Sequence, residues 1–128
     1  MKQEAIKLEA LKEGFKNGTF NAGFTVFAKG EQVKVTFKAV EFIECSGERA
    51  SDGTKYSFPA LKIDSCNYTE SETNGVKAGS VAPLSFISVD EALVNFITEA
   101  KKSELELYCM EYTNKQGDVR TTLKPILK

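Results

Sequence analysis

Tyr108 and Tyr112 lie on one side of an alternating segment, opposite Leu105, Leu107 and Cys109. Arg120 and Lys124 lie on the corresponding side of the next such segment, opposite Val119, Thr121 and Leu123. If the two segments pair, rings and cations stand side by side. Planar rings stack on nucleobases and nearby cations neutralise phosphates, so the chemistry on offer is retention of a flexible, single-stranded polynucleotide. An earlier β segment adds Lys55, Tyr56, Phe58 and Lys62, with Arg49 in the loop before it and Lys115 in the turn between the paired segments. The competing assignment for Phe58, Tyr108 and Tyr112 is structural, as rings that enter or lean on the core.

Other chemistry has little material. The chain contains no histidine, which removes the commonest general base and the commonest metal ligand. It has no GxSxG, P-loop, HExxH or clustered-cysteine pattern. Asp90 and Glu91 suit a helix start, Glu104 and Glu106 suit an exposed strand face, and Glu70 to Gly75 lacks the later ligands and flanking helices of a calcium loop. No catalytic residue, metal site, cofactor or enzymatic activity is therefore expected. Cys45, Cys66 and Cys109 are odd in number and far apart, which favours reduced thiols used as small apolar residues.

Composition bounds the class. A chain of 128 residues with 41% hydrophobic and 27% charged residues can bury a core as one domain without staples. Its 17 basic and 18 acidic side chains balance. That counts against binding duplex DNA by bulk charge, but leaves room for a local basic groove whose affinity comes partly from stacking. No apolar run approaches the roughly 20 residues of a bilayer helix, and the start lacks a secretory pattern, so a cytoplasmic protein without a membrane partner is expected.

The elements that must position these residues follow from periodicity. Residues 2–16 place Ala5, Leu8, Leu11 and Phe15 on a helical stripe that Gly18 stops, and packing on its own domain is the expected use of that helix. From Phe24 the period becomes two: Phe24, Val26 and Ala28, then, after a turn at 29–32, Val33, Val35, Phe37 and Ala39. A slip to Val40 and Phe42 predicts one long, bent strand over 33–45. Asp52-Gly53 marks a turn, a second strand spans 55–67 with Pro59 at an edge or bulge, and a third spans 80–87 across Pro83. Ser88 and Glu91 fit a capping box for a helix over 89–102, with Leu93, Phe96, Ile97 and Ala100 inward and Lys101 and Lys102 at the negative end of its dipole. The hairpin 105–112 and 119–127 closes the order, with Pro125 limiting its pairing.

Three β segments, a helix and a hairpin are the layout of an OB-fold, so the expected class is mainly β: a five- to six-stranded antiparallel barrel over 18–128 preceded by an N-terminal helix over 1–17. The stretch PLSFISVDEALVNFITEAKKSELELYCMEYTNKQGDVRTTLKPIL resembles the second half of bacterial and phage single-stranded DNA-binding proteins. That resemblance implies sequence-tolerant binding of single-stranded DNA, with RNA an open alternative, in replication, recombination or repair by a homo-oligomer, in the host cytoplasm if phage-encoded. It points to Tyr112, Lys115 and Arg120 in the hairpin and to Tyr56 and Phe58 in the barrel. Three features depart from the family: no tryptophan, no acidic tail after Lys124-Pro125-Ile126-Leu127-Lys128, and a helix ahead of the first strand. A second class stays open, a structural or assembly barrel such as a virion component, with the N-terminal helix, Phe20, Phe24 and Phe27 as the subunit contact.

Overall fold

The computed structural model describes residues 2–21, 27–70, 77–113 and 115–126, and only the backbone of Glu70. In chain order these form β1 (Lys2–Ala5), α1 (Leu8–Asn17), β2 (Gln32–Thr36), β3 (Phe42–Glu48), β4 (Lys55–Lys62), β5 (Ser65–Glu70), β6 (Phe86–Ser88), α2 (Glu91–Ala100), β7 (Glu104–Thr113) and β8 (Val119–Pro125). Antiparallel pairing gathers the strands into two four-stranded sheets, ordered β1-β3-β4-β6 and β5-β2-β7-β8. The fold is mainly β as expected, but among the described residues it is a pair of sheets and not one closed five- to six-stranded barrel.

Each long strand is cut in two by the need to bury apolar residues of opposite parity. Val33, Val35 and Phe37 face the core, and so does Phe42, five residues beyond Phe37. A straight strand cannot turn both inward. The chain therefore leaves the second sheet after Thr36, exposes Lys38, Ala39 and Val40, and enters the first sheet at Phe42. The next strand crosses back beside it: the Lys62 amide donates to the Glu41 carbonyl and the Asp64 amide to the Thr36 carbonyl. Ala39 and Val40, expected inside, are thus at the exposed corner. Pro59 sits where β6 ends, since Ala60 is the last β4 residue paired with that strand, opposite Ser88. The Pro59 carbonyl still accepts from the Val89 amide at 3.1 Å, but without an amide hydrogen this residue cannot return the reciprocal bond, and the ladder stops there.

Other expected elements shift. Residues 2–5 form an exposed strand on β3, with Lys2 opposite Ser46 and Ala5 opposite Ile43, so the helix begins at Leu8 and loses Ala5 from its stripe. Unpaired amides and carbonyls at the β3 edge gain partners this way, which outweighs the helix preference of the segment, worth only on the order of tenths of a kcal/mol per residue. Gly18 ends α1 as expected, in the left-handed region at φ 67°. The strand expected over 80–87 shrinks to Phe86–Ser88 plus an isolated bridge between Asn67 and Val81. The N-cap of α2 is Asp90, whose Oδ1 accepts from the Leu93 amide at 2.8 Å, while Ser88 belongs to β6; Lys101 and Lys102 fall after the last turn. Val119, expected inside, is 64% exposed at the turn end of the hairpin, opposite Thr113. The strand reading for Phe24 and Val26, the loop 71–75 and Leu127 lie outside the described residues.

One hydrophobic cluster joins both sheets and both helices through Leu11, Val33, Val35, Leu61, Leu93, Ile97 and Leu107. Leu11 is wholly buried in it, so α1 packs on its own domain. A second, smaller cluster of Ile43, Cys45, Phe58 and Ala60 lies on the first sheet. All three cysteines are buried free thiols. None of the described helices is long and apolar enough to cross a membrane.

Candidate nucleic-acid interface

The β7–β8 hairpin carries the clearest constellation. Its alternation holds over most of its length because one face meets the core: Leu105, Leu107, Cys109 and Leu123 are buried. The other face follows by parity. In the register, Tyr108 stands directly opposite Lys124, Met110 opposite Thr122, and Tyr112 opposite Arg120. Directly opposed side chains in an antiparallel pair have Cβ atoms about 4.5–5.5 Å apart, so each ring adjoins a cation across the ladder.

The four residues are not equally available. Tyr108 is 38% exposed and Arg120 is exposed, its guanidinium 3.9 Å from Asp118 in the turn. Tyr112 and Lys124 are half-buried. The Lys124 ammonium donates to Asp90 Oδ2 at 2.9 Å, so the carboxylate that caps α2 also holds this cation. Lys115 is exposed in the turn.

The earlier set stands on the other sheet. Lys55 and Lys62 are exposed on β4, Lys62 lying 3.7 Å from Glu41. Arg49 is exposed in the β3–β4 loop, which is closed by hydrogen bonds between Arg49 and Thr54 and between Gly53 and Arg49. In the same loop the Thr54 amide bonded to Asp52 holds that carboxyl below the ordinary carboxylate value. Phe58 is a correction: it is 1% exposed, within the second cluster, and has no face to offer a base. Tyr56 is half-buried and stacked on Phe58 at 6.1 Å with 13° between planes, its ring edge against Gly47. The structure thus brings together Tyr108, Tyr112, Arg120 and Lys124, and leaves Arg49, Lys55, Tyr56 and Lys62 as a separate group. Of the rings assigned to a subunit contact, Phe27 is buried and Phe20 packs against the core, while Phe24 lies outside the described residues.

A feature that periodicity did not reveal adjoins the hairpin. Tyr112, Met110, Thr122 and Lys124 form one side of an open cleft of about 450 Å³, and Phe15, Phe20, Asn21, Pro59 and the β6–α2 junction form the others. The residues were visible singly, Phe15 on the helical stripe and Asp90 at the helix start. Their convergence depends on how α1 lies over the sheets. Among the described residues no group of histidine, cysteine and acidic side chains comes together that could hold a metal ion. Comparison with protein-family models, curated proteins and solved structures finds no match to this chain.

Proposed function

We propose that this protein binds single-stranded DNA with little sequence preference, on the outer face of the β7–β8 hairpin. The observation that carries the reading is the register that sets Tyr108 opposite Lys124 and Tyr112 opposite Arg120. Bases stack on the rings, phosphates meet Arg120 and Lys115, and Lys124 contributes to the extent that Asp90 releases it. Stacking tolerates any base because every base has a flat face, and the phosphates repeat whatever the sequence. The β4 group of Arg49, Lys55, Tyr56 and Lys62 is a second, weaker contact surface for a longer strand.

Support for an OB-like arrangement behind this face comes from the order of pairing. Taking β2 with β3 and β4 with β5 as two bent strands, the first pairs with the second and with β7, the second pairs with β6, and β7 pairs with β8. OB-folds are partly open barrels that bind oligonucleotides. The test is a fluorescence-anisotropy titration with labelled oligo-dT at two salt concentrations. Binding at micromolar protein or below in low salt is expected, weakening as salt rises with a slope of about −0.7 per neutralised phosphate. Absence of binding at micromolar protein and low salt overturns the reading.

A further inference from the structure

We propose that the cleft between the end of α1 and the hairpin holds one base of the bound strand, turned out of the stack; this rests on the single-strand reading above. Phe15 and Phe20 stand edge to face on one side, 5.4 Å between centroids and 67° between planes, and Tyr112 and Met110 stand on the hairpin side. The space of about 450 Å³ lies low in the range of small-ligand sites, roughly 300–1,000 Å³. It suits a single nucleotide better than a stack.

A base needs apolar contact on its faces and hydrogen-bonding groups at its edges, and the cleft has both. Asn21 uses its Oδ1 to accept from the Ser57 amide at 2.9 Å, which leaves its amide NH₂ as a donor. The Thr122 hydroxyl and the Lys124–Asp90 pair complete the polar rim. Tyr112 belongs both to the cleft and to the pair with Arg120, so a base in the cleft leaves its phosphate beside that guanidinium. The cleft also depends on a glycine. A Cβ on Gly14 would stand 2.3 Å from Phe20 Cε2, so only the bare helix surface lets this ring lie where it does. Glycine inside a helix is otherwise unfavourable.

The test uses oligo-dT carrying a single 5-iododeoxyuridine, irradiated with the full chain, with the crosslinked residue located by mass spectrometry and anisotropy measured on the same oligonucleotide. Crosslinks to Phe15 or Phe20 are expected, since Tyr112 also belongs to the hairpin face and a crosslink there alone overturns the cleft assignment. Phe20→Ala and Gly14→Ala should each lower that yield at least about fivefold, the smallest effect of a lost base–ring stack. If the strand binds but crosslinks only at Tyr108 or elsewhere outside the cleft, the cleft assignment is overturned while single-strand binding stands. An oligonucleotide that gives no anisotropy change overturns both. Should Phe20→Ala fail to fold, the wild-type crosslink map decides the matter alone.

Discussion

Tyr112 meets Arg120 across the ladder and lines the cleft beside α1, so one side chain links the two parts of the proposed site. The cysteines lie at the other extreme, wholly inside. Burial pushes the Cys66 thiol up from 9.0 to about 11, and pushes Cys45 and Cys109 in the same direction. Raising the pKa of a neutral acid means that the folded chain keeps its proton longer than the unfolded one. Stability therefore falls as pH rises between 9.0 and about 11, and is unaffected by this group below that window. At pH 8 a thiol shifted this far is ionised about a hundredfold less than a free one. Folded protein should accordingly react with iodoacetamide far more slowly than protein in denaturant, and fast labelling of all three thiols in the native state would contradict their burial. Among the rings, the pairing of Tyr108 and Tyr112 with cations was legible because parity along a strand is a local property. The burial of Phe58 was not. Its signal was the unbroken run Phe58-Pro59-Ala60-Leu61, all buried, which marks a strand covered on both faces where alternation carries no information.

At the scale of elements, Asp90 does two things: Oδ1 caps α2 and Oδ2 holds Lys124 on β8. Asp90→Ala should cost about 1 kcal/mol through the lost cap, lowering Tm by a few degrees. Asp90→Asn keeps an oxygen for the Leu93 amide and should recover most of that loss, since a partly exposed ion pair adds little. Equal falls for the two variants in thermal unfolding would show that the ion pair, not the cap, is what matters. The existence of α2 was legible from Leu93 and Ile97, whereas its first residue was not. Ser88 and Asp90 are both good caps, and the choice falls to the pairing of Ser88 with Ala60 at the end of β6. The same competition reassigned residues 2–5, where an open strand edge drew in a segment whose composition favours helix.

For the whole molecule, the burial of Leu11 among residues of both sheets makes α1 part of the core and not an appendage. Leu11→Ala should destabilise the protein by about 2–5 kcal/mol, as core cavities do, readable as a lowered denaturant midpoint; a loss under about 1 kcal/mol would mean that the helix is docked loosely. From α1 onward the order of the described elements was legible because periodicity changes from helix to strand, whereas β1 was hidden in a segment of helix formers. Division into two sheets was not, since it follows from which corner residues can be left outside, a property of the assembled chain. The central claim is that the hairpin face holds single-stranded DNA, and the most direct test is an oligo-dT anisotropy titration at low salt of the double variant Tyr112→Ala/Arg120→Ala beside the unaltered chain. Loss of one ring contact and one phosphate contact should weaken binding by tenfold or more, at about 1–3 kcal/mol for the stack alone, and should flatten the salt dependence. Equal affinity and equal salt dependence for the two proteins would contradict the assignment of this face.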